Sequence, residues 1–213
     1  MNKQIPDKVV GRLSLYRSLL QDHSKPETTH VFSHELARMA RVSAAQVRRD
    51  LMSTGHVGSP NKGYEVTKLT ECLGSILDAS DIEKVALVGL GHLGRAILDF
   101  FYHRRPKLSI VAAFDKNPDK VNKLVNGVKA YHIDLLADLV EANEINTAII
   151  AVPGDQAQGI ADVLVSSGVR GILNYAPTPL HVPEYIYLDE QDMTMSLEKV
   201  AYFSRRSSRS KGN

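Results

Sequence analysis

The chain has 213 residues, 43% hydrophobic and 23% charged, with a formal net charge of +2. These values are ordinary for a globular protein and exclude a collagen-like or generally disordered chain. The only cysteine, Cys72, excludes an intramolecular disulfide and an intrachain thiolate zinc cluster, so we expect no metal. No apolar run approaches the roughly 20 residues that span a bilayer, and the N-terminus lacks a signal-peptide core. We therefore expect a cytoplasmic protein without a membrane partner.

The first part of the chain is predicted to contain a helix–turn–helix. Pro6–Gln21 has the periodicity of an amphipathic helix. Ser33 is expected to cap a short second helix that ends at Met39, and a tight turn follows. Ser43 is expected to cap the third helix, with Gln46 three residues later completing a capping box.

A glycine-rich segment, residues 55–63, interrupts the helical pattern and predicts a wing. Tyr64–Val66 is predicted as its return strand, with Tyr64 packed at the base, and Thr67–Leu77 as a connecting helix. Lys62 at the wing tip is either a contact to phosphate or the minor groove or an ordinary exposed lysine. Arg38 and Arg41 are either contacts to phosphate or ordinary exposed arginines.

The third helix has the side chains of a DNA-recognition helix. Ser43 offers a hydroxyl, and Ala45 is small enough for close approach to a major groove. Gln46 can pair with adenine, whereas Arg48 and Arg49 can contact guanine or phosphate. The alternative is a surface helix with two solvated arginines. The preceding helix, the cap spacing and the glycine-rich hairpin favour double-stranded DNA as the partner.

After residue 80, short apolar segments alternate with amphipathic ones. The segments predicted as buried strands are Lys84–Val88, Leu108–Phe114, Thr147–Val152 and Gly171–Asn174. Those predicted as helices are His92–His103, Leu135–Glu141 and Asp155–Ser167. Such alternation predicts a parallel sheet with right-handed crossovers.

A Gly-x-Gly-x-x-Gly motif follows the first of these strands and opens the first of these helices, as in a Rossmann domain. Gly89 permits the tight turn, Gly91 lets the backbone approach a pyrophosphate, and Gly94 permits close helix–strand packing. The expected cofactor-binding loop is Gly89, Leu90, Gly91, His92, Leu93 and Gly94. The alternative is a Rossmann-like fold with an empty or altered site.

Asp115 ends the next predicted strand, where a carboxylate can accept hydrogen bonds from ribose hydroxyls and repel the 2′-phosphate of NADP. NADH and NAD+ are therefore the expected cofactors, although Lys116 is adjacent. Two later segments also follow strands and either line the nicotinamide pocket or are ordinary loops. They comprise Val152, Pro153, Asn174, Tyr175, Ala176 and Pro177.

The segment after the glycine motif leaves no length for a substrate domain, and His132 and His181 have no obvious carboxylate partner. We therefore do not expect an enzyme. Gln191–Arg206 is predicted as an amphipathic helix that packs either against a second subunit or on its own sheet. The basic residues from Arg205 to Lys211 are predicted to form a disordered tail.

The expected fold is α/β, with a winged helix-turn-helix followed by a Rossmann dinucleotide-binding domain. We expect the winged-helix DNA-binding domain at residues 1–79 and the NAD(H)-binding domain at 80–190. Residues 191–213 are expected to form a dimerisation helix and a basic tail. Two rival interpretations remain: a DNA-binding protein with a non-sensing Rossmann dimerisation module, and a small NAD-dependent oxidoreductase.

The combination of motifs resembles the redox-sensing transcriptional repressor family Rex. The resemblance extends from about Ile5 to Phe203, and these motifs carry it: Ala45–Leu51, Gly63-Tyr64, the glycine motif, Ala113–Asp115, Val152-Pro153 with Ala157-Gln158, and Gly171–Pro177. It implies a homodimer with exchanged C-terminal helices, a palindromic operator, and release from DNA when NADH binds. It also implies a coupling role for Asp192, for which the alternative is a helix cap.

The chain departs from the family pattern at several positions. Tyr175 stands where Rex proteins usually have Phe, and Lys62 is the wing's basic residue where Arg near Pro60 is common. Phe100 stands where Tyr is common, and an aromatic-and-glycine stretch is replaced by residues 53–56. These departures bear on the operator sequence and on the strength of the redox response.

Overall fold

The computed structural model describes residues 5–22, 29–59, 61–102 and 107–209. Three predicted elements extend outside these residues: the wing at Pro60, the helix His92–His103 at His103, and the basic tail at Lys211. The chain divides into two compact units, Met1–Ser80 and Asp81–Asn213. The N-terminal unit consists of α1 (Asp7–Asp22), β1 (His30–Val31), α2 (Ser33–Ala40), α3 (Ala44–Ser53), β2 (Tyr64–Glu65) and α4 (Val66–Leu77).

One apolar cluster holds the helices of the N-terminal unit together. In α1 it contains Leu13, Tyr16 and Leu20, whose three- and four-residue spacing places them on one face. Val47 and Leu51 bury the inner face of α3 in the same cluster, with 0% exposure each. Burying each of these leucines stabilises the fold by about 2 kcal/mol. The other face of α3 is therefore left for solvent or a partner.

The turn between α2 and α3 has the predicted form. Arg41 adopts the left-handed conformation (φ 55°) and the Val42 N–H donates to the Ala37 carbonyl at 3.0 Å, which ends α2. The Ser43 hydroxyl accepts from the Gln46 N–H at 3.1 Å, so the predicted cap of α3 is confirmed.

Two details of the predicted caps were wrong. Phe32, not Ser33, precedes α2, and the Glu35 side chain accepts from its N–H at 2.8 Å. The Gln46 side chain does not complete a capping box, because its amide nitrogen donates instead to Asp50 at 2.8 Å. A buried carboxylate one turn further along the helix is the stronger, charge-assisted partner for this amide.

Asp50 joins α3 to α1 through a partly buried ion pair. Its carboxylate accepts from Arg12 Nε at 2.6 Å, from Arg12 Nη2 at 2.8 Å and from the Tyr16 hydroxyl at 2.9 Å. The Asp50 side chain is 1% exposed and that of Arg12 25%. Burial alone raises the pKa of Asp50, but hydrogen bonds from Arg12, Gln46 and Tyr16 outweigh it and hold the pKa below its usual value.

The wing differs from the predicted hairpin. β2 pairs antiparallel with β1, so that Val31 lies opposite Tyr64, and β1 was not predicted. The turn before β2 is closed by a bridge between Ser59 and Gly63 with two hydrogen bonds of 2.8 Å. At Gly63 (φ +71°) an added Cβ would lie 2.5 Å from the Val31 carbonyl oxygen. Glycine is therefore required where the wing meets β1.

The C-terminal unit alternates strands and helices as predicted. Its elements are β3 (Glu83–Val88), α5 (His92–Phe101), β4 (Leu108–Asp115), β5 (Leu124–Val125), β6 (Val128–His132), α6 (Leu136–Ala142), β7 (Thr147–Ile150), α7 (Gly154–Ser166), β8 (Gly171–Asn174), β9 (Tyr187–Glu190) and α8 (Met193–Arg209). The predicted strands and helices of the sheet lie within two residues of these bounds.

Seven strands form one sheet in the order β5-β6-β4-β3-β7-β8-β9, and all neighbours are parallel except β5 and β6. Val85 and Leu87 pack with α5 in one apolar cluster, whereas Ala86 and Val88 pack with α6 and α7 in another. This alternation shows that helices cover both faces of the sheet. The strand order reverses at β3, which opens a crevice at the carboxyl ends of the strands.

Three strands of this sheet were not predicted. β5 and β6 form a hairpin whose turn, Asn126-Gly127, has φ of +48° and +78°. An Asn-Gly pair between valines is a recognised hairpin signal, so the sequence does contain the information for this turn. β9 is an edge strand with mostly exposed residues, so it lacks the apolar run used to identify the others.

The last helix, α8, begins after Asp192, whose carboxylate accepts from the Met195 N–H at 2.8 Å. Residues 191–205 are all exposed, so α8 does not pack on its own sheet. The prediction that the chain becomes disordered at Arg205 was wrong for residues 205–209, because α8 continues to Arg209. No Gly or Pro interrupts the segment. None of the described helices has the length and apolar content to cross a membrane.

We expect Arg12→Leu to destabilise the N-terminal unit by about 3 kcal/mol at pH 7, because it leaves the Asp50 carboxylate buried without its cation. The folded-state pKa of Asp50 is depressed. The stabilisation is therefore fully present above its unfolded value of about 3.9 and is lost as pH falls through the folded value. The difference in the free energy of unfolding between wild type and variant should therefore shrink as the pH falls through the folded-state pKa of Asp50.

Hydrogen exchange of α1 and α3 amides measures this effect, and peptides from the sheet serve as an internal reference. Arg38→Leu, at an exposed arginine on α2, is the matched control. Equal protection in the Arg12 and Arg38 variants would show that the ion pair contributes nothing measurable.

Candidate functional site

The outer face of α3 presents a small set of polar side chains on a rigid support. Ser43, Ala45, Arg48 and Arg49 are exposed, whereas Gln46 is half-buried. Val47 and Leu51 anchor the opposite face in the core. The structure therefore brings together the five residues of this helix that the sequence predicts to contact DNA.

The two arginines are held differently. Arg48 Nη1 donates to the Ser33 hydroxyl of α2 at 3.0 Å. Arg49 Nη1 donates to Gln46 Oε1 at 3.4 Å. Neither guanidinium forms an ion pair among the described residues, so both keep positive charge for guanine or phosphate.

Lys62 lies exposed in the turn between Ser59 and Gly63, at the position predicted for the wing tip. Tyr64 is only 6% exposed and the ring of His56 stacks on it at 6.0 Å. Burial raises the pKa of Tyr64, while the charge of Arg48 opposes the rise. Tyr64 thus packs at the base of the wing, as predicted.

The glycine motif forms the loop between β3 and α5. Gly89 has φ +102°, and an added Cβ there would strike the Ala151 carbonyl oxygen. At Gly94 an added Cβ would strike the Gly89 carbonyl oxygen, which explains the close helix–strand packing. An added Cβ at Gly91 would meet no protein atom within 4 Å. The backbone at Gly91 therefore borders open space, as a pyrophosphate-binding loop requires.

A cavity adjoins this loop at the carboxyl ends of the strands. Of the predicted cofactor-binding residues it is lined by Gly89, Gly91, Asp115, Lys116, Val152 and Pro153. Apolar side chains from β3, β4 and α7 form its walls. The cavity thus combines a backbone suited to phosphates with a carboxylate suited to ribose.

Asp115 is 8% exposed and its carboxylate is already hydrogen-bonded within the protein. Oδ2 accepts from the Leu90 N–H at 2.8 Å and from Lys120 Nζ at 3.1 Å, and Oδ1 accepts from the Asn117 N–H at 2.8 Å. Burial alone raises the pKa of Asp115, but these bonds outweigh it and lower the pKa. The group is anionic at neutral pH, and Oδ1 can accept one more donor, such as a ribose hydroxyl.

Sequence reasoning missed Lys120 and Gln156, which also line the cavity. Lys120 ends a short 3₁₀ turn, Pro118–Lys120, that directs it back to Asp115. The Asn-Pro pair before it signals such a turn. Gln156 lies in the first turn of α7, and nothing in its periodicity distinguishes it from an exposed helix residue.

The segment after β8 lies at a second cavity. Asn174 and Ala176 line it together with Asp192 and Met195 at the start of α8. Asn174 is 1% exposed and shapes the loop by accepting from the Ala176 N–H and donating to the Thr178 carbonyl, both at 2.9 Å. The structure therefore does not bring this segment to the cavity beside the glycine loop.

Six predicted cofactor-binding residues line neither of these cavities. Leu90, 1% exposed, and half-buried Leu93 and Tyr175 pack in the apolar cluster with α5. The Leu90 N–H nevertheless holds Asp115. His92 is exposed at the start of α5. The six are Leu90, His92, Leu93, Gly94, Tyr175 and Pro177.

In the part of the chain that the structure describes, no three His, Cys, Asp or Glu side chains are grouped to hold a metal ion. The Asp192 carboxylate caps α8. For this residue the sequence leaves two roles open, a helix cap and a coupling residue, and the cap is the one that the structure shows. The two candidate sites are therefore the outer face of α3 and the cavity at the glycine loop.

Family models match both units. One described as "Putative DNA-binding protein N-terminus" matches residues 4–51, and one described as "CoA binding domain" matches residues 80–178. A solved Rex-family repressor, RSP, in complex with beta-NAD+ and operator DNA has a TM-score of 0.88 at 29% identity. The match covers 98% of this chain and 96% of that chain. The RSP complex with beta-NADH gives a TM-score of 0.85 at 28% identity and covers 98% of both chains.

Curated relatives match over nearly the whole chain. The Anoxybacillus flavithermus protein named redox-sensing transcriptional repressor Rex is 38% identical, over 94% of either chain. The protein of that name from Latilactobacillus sakei is 35% identical, over 93% of this chain and 96% of its own. Both names denote a regulator rather than an enzyme. The chain therefore belongs to the Rex family of redox-sensing transcriptional repressors.

Proposed function

We propose that this protein binds a palindromic operator and is released from it when NADH binds, so that it responds to the ratio of NADH to NAD+. One observation carries the proposal. The same chain contains a winged helix with two exposed arginines on its third helix and a glycine-loop cavity that ends at an anionic aspartate. The RSP structures with NAD+ and operator DNA and with NADH support the same pair of ligands.

The cavity fits the adenosine and pyrophosphate part of NADH or NAD+. The open space at Gly91 admits a pyrophosphate, and Asp115 Oδ1 can accept one ribose hydroxyl. The anionic carboxylate disfavours a 2′-phosphate, although Lys116 and Lys120 lie beside it. These contacts are common to both redox forms, so they supply affinity rather than discrimination.

Redox discrimination would arise at the nicotinamide ring. A neutral reduced ring enters an apolar pocket at less cost than a positively charged oxidised ring. The second cavity is our candidate for the surroundings of this ring, which would lie against its apolar residues Ala176, Pro179 and Met195. Because the Glu190 and Asp192 carboxylates that also line this cavity attract a positive charge, a preference for NADH requires that they stay away from the ring itself. Asp192 would then couple ring binding to α8, in addition to capping it.

We propose a homodimer that exchanges α8. Along this helix the exposed fractions are 61% for Met193, 69% for Leu197, 66% for Val200 and 63% for Phe203, and the three- and four-residue spacing of these residues places them on one face. A contiguous apolar surface of this kind is typical of a protein–protein interface. A two-fold dimer presents two recognition helices, which explains why the operator would be palindromic.

The response to NADH follows from thermodynamic linkage. If NADH binds better to a dimer whose recognition helices do not match the half-site spacing, then NADH and operator weaken each other's binding by the same factor. The protein would act in the cytoplasm, where bacterial operators lie.

Two rival functions make different predictions. With a non-sensing Rossmann module, NADH would not change the affinity for DNA. An oxidoreductase would turn NADH over with a small carbonyl compound.

Fluorescence anisotropy tests the proposal, with a pool of palindromic duplexes at fixed salt because phosphate contacts make affinity salt-dependent. We expect NADH to release the DNA at a concentration at least about tenfold below that needed for NAD+. ADP-ribose, which shares the adenosine, pyrophosphate and second ribose but lacks the nicotinamide ring, is the control and should not release it. A DNA affinity that neither NADH nor NAD+ changes would refute the sensing function.

We expect Gly91→Ala to weaken NADH and NAD+ alike by at least about tenfold without unfolding the protein, because its methyl group would occupy the space proposed for the pyrophosphate. Gly159→Ala on α7 is the matched control, since an added Cβ there also meets nothing within 4 Å. Calorimetric titration measures both affinities. Unchanged NADH binding in the Gly91 variant would place the cofactor elsewhere.

We expect Leu197→Glu to convert the dimer to a monomer, because a charge would be buried in the α8 interface. Lys199→Glu introduces the same side chain at a charged position of α8 and should leave the dimer intact. Sedimentation velocity distinguishes the two species. A monomeric wild type, or a dimeric Leu197 variant, would contradict the exchange of α8.

A further inference from the structure

Gln46 is restrained by the carboxylate that holds α1 to α3. Asp50 Oδ1 accepts from Gln46 Nε2 and from Arg12 Nη2, both at 2.8 Å, and Oδ2 accepts from Arg12 Nε and Tyr16. Four donors thus fill the four acceptor positions of a carboxylate. Because Asp50 is buried, a donor that leaves is not readily replaced by water.

This restraint bears directly on adenine recognition. A glutamine pairs with adenine by donating from its amide nitrogen to N7 and accepting from N6 with its oxygen. The Gln46 amide nitrogen is already directed at Asp50, and its oxygen accepts from Arg49 Nη1 at 3.4 Å. In the observed orientation, each of the two atoms that would contact adenine is therefore already bonded to a protein side chain, so a bidentate contact to adenine would have to share both atoms with Asp50 and Arg49.

We propose that Gln46 is a positioning residue that holds the Arg49 guanidinium for guanine recognition and does not itself read adenine. The chain of contacts runs from half-buried Arg12 and buried Asp50 through Gln46 to exposed Arg49. A guanidinium that is oriented before binding loses less side-chain freedom when it donates to guanine O6 and N7. This inference rests on the proposed binding to operator DNA.

Arg48 provides an internal comparison on the same helix. Its guanidinium is held by the Ser33 hydroxyl of α2 at 3.0 Å and has no bond to Gln46. Loss of the Gln46 side chain should therefore disturb Arg49 and leave Arg48 in place. The two arginines differ in their dependence on Gln46, although both are exposed.

The test uses the full-length protein and an operator selected from random palindromic duplexes with the wild type. Each guanine is replaced in turn by 7-deazaguanine and each adenine by 7-deazaadenine, which removes the N7 acceptor alone. The variants are Gln46→Ala, Gln46→Met, Arg49→Ala, Arg48→Ala and the double variants of residue 46 with each arginine. Circular dichroism and NADH affinity confirm that each variant is folded.

We expect the wild type to lose about tenfold in affinity at one 7-deazaguanine position in each half-site. Both Gln46 variants and Arg49→Ala should abolish that sensitivity. Residues 46 and 49 should couple by at least about threefold in the dissociation constant, and residues 46 and 48 should be additive.

Sensitivity to 7-deazaadenine that disappears in the Gln46 variants but survives in Arg49→Ala would overturn the inference. Additive effects of residues 46 and 49 would also overturn it. Either result, with NADH release intact in the wild type, leaves the proposed function standing. A wild type that binds no duplex would instead refute the proposed function and this inference together.

Discussion

The position of β3 between two parallel neighbours determines where the proposed cofactor-binding groups of the C-terminal unit lie. β3 pairs with β4 on one side and β7 on the other, so Val88, Phe114 and Ile150 end at one edge of the sheet. The glycine loop, Asp115 and Val152-Pro153 each follow one of these strands or end it. A cavity with phosphate-binding backbone and a carboxylate is thus a direct consequence of strand order.

Much of this arrangement was predictable because it depends on local chemistry. Ser43 caps α3 as its hydroxyl and spacing indicated, and Gly89 and Gly94 occupy positions that a side chain would block. The alternation of apolar strands and amphipathic helices predicted the parallel sheet. In each case the signal lies within a few residues of the structure that it specifies.

The remaining features depend on contacts between distant residues. The Asp50 carboxylate bonds Arg12 across 38 residues. The spacing of Gln46 and Asp50 allows a side-chain hydrogen bond, but only the burial of Asp50 against Arg12 makes that bond stronger than a capping box. β1 becomes a strand only because Tyr64 and Glu65 pair with it. Lys120 reaches the cavity beside the glycine loop because a 3₁₀ turn reverses the chain after Asp115. Tertiary partners, not propensity, decided these features.

The buried carboxylate of Asp50 also limits how α3, the proposed recognition helix, can change during evolution. A substitution at Gln46 removes one of four donors to a charge that water does not reach, so it lowers stability before it alters specificity. Ala45 and Arg49 do not contribute to the stability of this buried carboxylate, because both side chains are exposed and neither contacts it. New operator preferences would therefore arise most readily by drift at residues 45 and 49, with residue 46 held constant.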